Sequence, residues 1–172
     1  MKKFCLFFSV AVLILTGMIL SYDFNKPPDS SVKIDLIVIE KSNRKLQLYS
    51  KGNLVKSYDI SLGKDPVGAK RFSGDNKTPE GKYFIKGKNQ KSKFHKSLWI
   101  SYPDSEDIEY AAKTGRDPGG EIMIHGLTKG FSWLGSAHLL SDWTRGCIAV
   151  TNKEIDELYG AVWTGTIIEI RP

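Results

Sequence analysis

The sequence is poor in the residues that build metal and disulfide scaffolds. It holds two cysteines, Cys5 and Cys147, and three histidines, His95, His125 and His138. No HExxH or CxxC spacing occurs, so a metal site has no support. Gly119-Gly120 follows Pro118 and reads as a turn rather than a phosphate loop, and no cofactor is expected. The formal net charge is +6 and the pI about 9.2. No Arg-rich helix, RNP-like aromatic motif or zinc-finger spacing accompanies that charge, so nucleic acid is not an expected partner. A basic surface of this size suits either general solubility or an anionic ligand or membrane surface. Internal repeats and low-complexity blocks are also absent. What remains is a chain of 172 residues, 41% hydrophobic, which suits one globular domain able to bury a core without staples.

The amino terminus is organised differently from the rest. Lys2 and Lys3 precede an apolar run over residues 4–20, and residues 1–22 contain no acid. A basic start followed by an apolar stretch is the pattern of a signal peptide or signal anchor. The run is at the short limit for crossing a bilayer core of about 30 Å. No clean small-x-small cleavage site follows it, which favours an uncleaved anchor with the two lysines held in the cytoplasm. The expected location is therefore periplasmic or extracytoplasmic, with the membrane as a partner through this segment. Residues 23–31, with Pro27-Pro28, read as an extended linker. The domain proper is expected over residues 32–172.

From Val32 onward strand signals dominate. Residues 33–40 are apolar and β-branched. Leu46 and Leu48 alternate after one turn, and Tyr58, Ile60 and Leu62 after another. Further strands are predicted over 82–86, 97–102, 121–125, 147–150 and 166–171. Two short helices are predicted, over 132–140 and over 152–161, the second with Thr151 and Glu154 at capping-box spacing. Many short strands and few helices imply a mainly β domain, sandwich-like or barrel-like, with one or two short helices.

Residues 122–152 are the chemically dense stretch. A predicted strand ends at His125-Gly126, and Thr144-Arg145-Gly146-Cys147 opens the next. On neighbouring strands the imidazole and the thiol would converge at one end of the sheet. A thiol attacks only as its proton leaves, and a nearby imidazole can take that proton. Gly146 leaves room for a carbonyl and for backbone N–H groups that could hold an oxyanion. Each residue also has a plainer reading: cysteine is a common core residue, and a histidine at a strand end is often a hydrogen-bonded structural group. A single thiol beyond the leader, where exported cysteines usually pair, favours the reactive reading.

These motifs resemble the active-site signature of the L,D-transpeptidase (YkuD-type) catalytic domain. That signature is a His-Gly, a spacer, then Ser/Thr-x-Gly-Cys and an apolar residue, matched here by His125-Gly126 and Thr144-Arg145-Gly146-Cys147-Ile148. The resemblance extends over residues 32–172 and includes Gly74-Asp75 and Thr78-Pro79-Glu80-Gly81. It implies a mainly β domain whose cysteine forms a thioester with a peptidoglycan stem peptide and passes the acyl group to an amine or to water. By resemblance Cys147 is the nucleophile and His125 the base. Gly126 orients the imidazole through its carbonyl, and the N–H groups of Gly146 and Cys147 form the oxyanion hole.

Two positions depart from the family pattern. Many members carry His where Arg145 stands, and Arg or Asn where Ala149 stands. The form Asp-Trp-Thr-x-Gly-Cys-Ile-Ala-Val-x-Asn resembles a subgroup that includes hydrolases releasing wall-bound protein. A transpeptidase, a carboxypeptidase or an amidase acting on a wall-anchored protein, and a non-catalytic wall-binding module thus all stay open. Arg145, Thr144 and Trp143 are the candidate substrate-binding residues. Arg145 suits a carboxylate fork or equally an ion pair with Asp142. His95 and His138 are read as packed or exposed, and Asp75 and Glu80 as turn residues.

Overall fold

Alternation of apolar and polar residues is strongest between residues 36 and 59, and there the chain folds into a meander of three antiparallel strands. These are β1 (Leu36–Glu40), β2 (Lys45–Ser50) and β3 (Asn53–Asp59). Ile37, Ile39, Leu46, Leu48 and Tyr58 fall on the buried face, as a period of two requires. The structure, a computed structural model, describes residues 26–29 and 31–172. The predicted signal or anchor, residues 1–22, lies outside them, as do the first residues of the predicted linker. The described linker residues form no helix or strand. Among the described residues no helix is long and apolar enough to cross a membrane.

Five further strands complete one sheet: β4 (Gly81–Ser92), β5 (His95–Ile100), β6 (Met123–His125), β7 (Ile148–Ala149) and β8 (Ile167–Arg171). The spatial order is β3-β2-β1-β8-β4-β5-β6-β7. β8 enters the middle, parallel to β1 and antiparallel to β4. β4 is long and irregular, with breaks in register against β5, and joins the two halves of the sheet. The chain leaving β3 then pairs with the far edge, Ser61 with Ala149 and Gly63 with Thr144. The sheet therefore closes upon itself, which is the barrel-like form the short strands imply.

Among the described residues, three helical segments lie outside the sheet. Helix α1 (Ser105–Lys113) is one more than predicted. Its apolar stripe is weak, with Ile108 and Tyr110 exposed, although Asp104 and Asp107 form a capping box at its start. The segment predicted as a helix over 132–140 is a 3-10 run, Lys129–Leu140, broken at Gly135 by a positive φ of 48°. Helix α2 (Asn152–Ala161) has the predicted bounds and the predicted Thr151–Glu154 capping box. It buries Ile155 and Leu158 against the core.

Candidate active site

Cys147 and His125 are brought to one face of the sheet by the pairing of β6 with β7. Ile124 faces Ile148 and His125 faces Ala149 in parallel register. Both isoleucines point into the core. The next residues in the pleat, His125 on one strand and Ala149 and Cys147 on the other, point the opposite way. Cys147 thus stands diagonally across from His125, one pleat repeat along the neighbouring strand. Sequence spacing could not supply this pairing; the closure of the sheet does.

His125 is almost wholly buried, at 1% exposure. Its Nδ1 lies 2.7 Å from the carbonyl oxygen of Gly126, which can only accept, so Nδ1 carries the proton and Nε2 keeps a lone pair. Phe94 stacks on the ring at 4.2 Å and Trp143 meets it edge-on at 5.8 Å. Burial holds the imidazole down to about 4, against the opposing pull of the Gly126 carbonyl. Gly126 is constrained: a Cβ there would sit 2.6 Å from Asn152 Oδ1 and 2.9 Å from Ile155. Asn152 uses that oxygen to accept the Leu127 N–H at 2.7 Å, so α2 fixes the backbone that fixes the imidazole.

Cys147 is partly exposed and carries a free thiol. Its Sγ lies 3.6 Å from the carbonyl of Glu121. Loss of surrounding water pushes the thiol above its ordinary range, with the Met123 backbone N–H the largest opposing influence. Thiol and imidazole are therefore both neutral at rest at pH 7. The arrangement favours proton transfer during attack over a standing thiolate–imidazolium pair.

The turn before Cys147 differs from expectation at two residues. Thr144 was expected to face substrate, but it is 5% exposed and its hydroxyl is used inside the turn. That hydroxyl donates to the Cys147 carbonyl at 2.7 Å and accepts the Gly146 N–H at 3.0 Å. The Gly146 N–H is therefore engaged, while the Cys147 N–H, the backbone donor beside the thiol, has no partner among the described residues. Gly146 itself has a φ of 122°, and a Cβ would meet Lys77 O at 2.5 Å. Close packing of the 76–78 strand of loop against the turn is why glycine stands here.

A cleft of about 680 Å³ opens over Cys147, walled by Arg145, Lys93, Lys70, Phe94 and Trp99. Arg145 is exposed and has no ion-pair partner among the described residues. Its expected alternative partner, Asp142, instead takes Arg44 at 2.8 Å and the Leu62 N–H at 2.8 Å. Lys70 is buried and tied to Asp75 at 2.9 Å, and Asp75 accepts three backbone N–H groups of its own loop. Asp75 and Glu80 are thus loop-binding groups, with Glu80 held 2.7 Å from buried Lys41. His95 pairs with Asp156 at 2.8 Å. Lys93 and Phe94 escaped the sequence reading because residues 87–96 carry no clean alternation. The Ser-Lys-Phe between two strand segments was the one available hairpin signal.

Residues 34–170 match the family of the L,D-transpeptidase catalytic domain, YkuD. The Escherichia coli K12 protein named "Putative L,D-transpeptidase YafK" is 31% identical over 142 residues, covering 79% of this chain and 50% of that protein. The Campylobacter jejuni helical cell shape determining protein Pgp2 superposes with a TM-score of 0.63 at 24% identity, covering 82% of this chain and 48% of Pgp2. Bd1075 of Bdellovibrio bacteriovorus gives 0.57 at 24%, over 83% and 49%. The chain spans about half the length of these relatives. On the extent of the family match, the chain belongs to the L,D-transpeptidase catalytic domain family.

Proposed function

We propose that the protein is an exported peptidoglycan acyltransferase in which Cys147 attacks a stem-peptide carbonyl and His125 moves the proton. The observation that carries this reading is the diagonal placement of Cys147 and His125 on one face of β6 and β7, with Cys147 lining a cleft and His125 buried beside it. As Sγ attacks, its proton passes to Nε2 of His125, whose other nitrogen is held by Gly126. The Cys147 N–H steadies the developing oxyanion. The C–N bond breaks, the departing amine takes the proton from His125, and a thioester remains. An amine or water then attacks the thioester, His125 accepts its proton, the C–S bond breaks, and His125 returns the proton to the departing Cys147 Sγ.

Arg145 and Lys93 on the cleft wall suit a substrate with free carboxylates, as stem peptides are. Trp143 packs against His125 and so acts as a positioning residue for the base. Pgp2 is a helical cell shape determining protein; wall remodelling that affects shape is the corresponding role here. The apolar run behind Lys2-Lys3 supports export. A carboxy-terminal alkaline phosphatase fusion should be active, and an inactive fusion in a well-expressed strain would remove the wall substrate.

The reaction is tested by incubating the protein with purified muropeptides and reading products by mass spectrometry. A cross-linked dimer identifies an amine as acceptor; loss of a terminal residue, or release of a wall-bound peptide, identifies water. Cys147→Ala should remove every product, and also the covalent adduct that a carbapenem forms with the wild-type thiol. Turnover by folded Cys147→Ala would overturn the assignment.

A further inference from the structure

The cleft over Cys147 continues along the sheet. Asn89 and Trp99 line both that cleft and an open depression of about 420 Å³ beyond it, whose other walls are Lys86, Gly87 and Lys88. Strand register explains the continuity. Trp99 on β5 faces Met123 on β6, and Met123 precedes the Ile124–Ile148 pair that brings Cys147 alongside. On its other side Trp99 faces Gly87 on β4. Gly87, Trp99, Met123 and Cys147 thus form one row across four strands, on the face that carries the thiol. Gly87 adds no side chain to that row, and a Cβ placed there would meet nothing within 4 Å. Open space therefore lies beside the Trp99 indole, which is itself half-buried. Its Nε1–H has no acceptor among the described residues. Asn89 stands in the next row, where it faces Ser97 and Ser97 faces His125. Its Oδ1 accepts the Lys91 N–H at 2.9 Å, which fixes the amide plane and leaves the Nδ2 donors free. Lys86 is the extra residue where the register jumps from Ile85 to Gly87, and its exposed ammonium lies 5.5 Å from the Trp99 ring centroid.

We propose that Trp99 is a stacking platform for an acetamido sugar ring, with its Nε1–H and the Asn89 amide N–H groups donating to the sugar's hydroxyl and acetamido oxygens. A pyranose presents a face of weakly positive C–H groups, and the indole face is negative. Stacking needs a flat ring with free space beside it, which the glycine at position 87 supplies. The depression holds no acid, and its two uncharged donors suit an oxygen-rich, uncharged ligand better than a cation. Lys86 covers the ring only as an exposed side chain on a bulge, free to give way when a sugar stacks. The platform stands two strands from Cys147, so a sugar on Trp99 and an acyl group on the thiol can belong to one substrate. That substrate is a stem peptide still joined to its glycan. The proposal rests on the wall-substrate reading above and adds a preference to it, for glycan-linked stems over free peptides.

The test uses the ¹⁵N-labelled full chain and N,N′-diacetylchitobiose, an uncharged acetamido disaccharide that carries no peptide. The Trp99 indole N–H resonance, identified by its loss in Trp99→Leu, should shift saturably on titration. Trp99→Leu keeps apolar bulk but removes the π face and the donor, and should weaken binding about tenfold. Trp99→Tyr keeps a flat ring and should retain most of the affinity, and Lys86→Ala should bind at least as well as wild type. Circular dichroism checks that each variant is folded. An unmoved indole in wild type overturns the proposal. So does a loss in Lys86→Ala as large as that in Trp99→Leu, which would assign recognition to charge. A second arm compares turnover of a disaccharide-linked stem peptide with that of the free peptide. Wild type should prefer the linked form, and Trp99→Leu should lose that preference. Chitobiose binding without turnover of either peptide sinks the acyl-transfer reading and leaves the platform standing; equal turnover of both, with no sugar bound, sinks the platform alone.

Discussion

The two halves of the sheet are built on different terms. In β3, β2, β1 and β8 the strands run five to seven residues, and β1 keeps unbroken register with both its neighbours. In the half that carries the site, β6 has three residues and β7 has two. The first half is a frame whose alternation fills the core. The second gives up ladder length so that strand ends and turns can aim Cys147 and His125 at the same space. The difference shows that the site is stabilised from outside its own strands, by α2 through Asn152, by the Asp75 loop and by the bridge from β3 to β7.

If that division holds, changes in the site half should remove activity with little loss of fold, and changes in the frame or its ties should lose both. The largest effect on rate after loss of the thiol is expected for His125→Ala, about 10²- to 10⁴-fold in turnover on muropeptides. Circular dichroism should still report a folded sheet. Gly146→Ala sits on the boundary: its Cβ has no space beside Lys77 O. It should lower stability by a few kcal/mol and abolish adduct formation together, measured by thermal unfolding and intact mass. A Gly146→Ala protein with wild-type melting would break the comparison at its most sensitive point.

Lys41 tests the frame. Its ammonium is buried and contacts Glu80, the Gly68 carbonyl and the Thr78 carbonyl. Lys41→Ala leaves Glu80 and two carbonyls without their cation and should cost about 3 kcal/mol in urea unfolding. Acid should act on the site half next. His125 is held near 4 when folded, against an ordinary value of about 6.5. The unfolded chain therefore binds the extra proton between those values, and stability falls as pH drops from about 6.5 towards 4, by on the order of 3 kcal/mol. His138, also lowered, acts in the same direction. Thermal melts of wild type and His125→Phe across that range should diverge; parallel curves would contradict the burial of the imidazole. The smallest effect is expected at exposed Arg145. Arg145→Lys should lower activity by about tenfold or less with an unchanged melting temperature, because only the bidentate fork is lost.

The frame was legible in the sequence because its signals are local. Leu46 and Leu48, or Ile37 and Ile39, declare a face by alternation alone, and Thr151 with Glu154 declares a helix start. His125, Gly126, Gly146 and Cys147 could be named from a motif, yet their meeting depends on the pairing of β6 with β7, strands too short to show a period. The same limit hid Lys93 and Phe94, since β4 carries its bulges across Lys-Gly-Lys-Asn-Gln. Helix α1 was missed because its face is half exposed. The turn role of Thr144 was not readable, because a hydroxyl that caps a turn and one that meets a substrate look alike in a sequence. The commitment of Asp142 to Arg44 joins residues far apart in the chain, which no local pattern records.

The position of β8 has a consequence for how the protein comes into being. Its residues Ile167–Arg171 form the central strand, pairing with β1 near the other end of the domain. Such a contact closes a loop of nearly the whole domain, so the sheet is expected to fold slowly and late. Until residue 171 has been synthesised, β1 and β4 have no strand between them, and the β3-to-β7 closure that seats the thiol beside its imidazole lacks its frame. Assembly of this face of the sheet therefore waits on the strand at residues 167–171, a form of timing written into strand order.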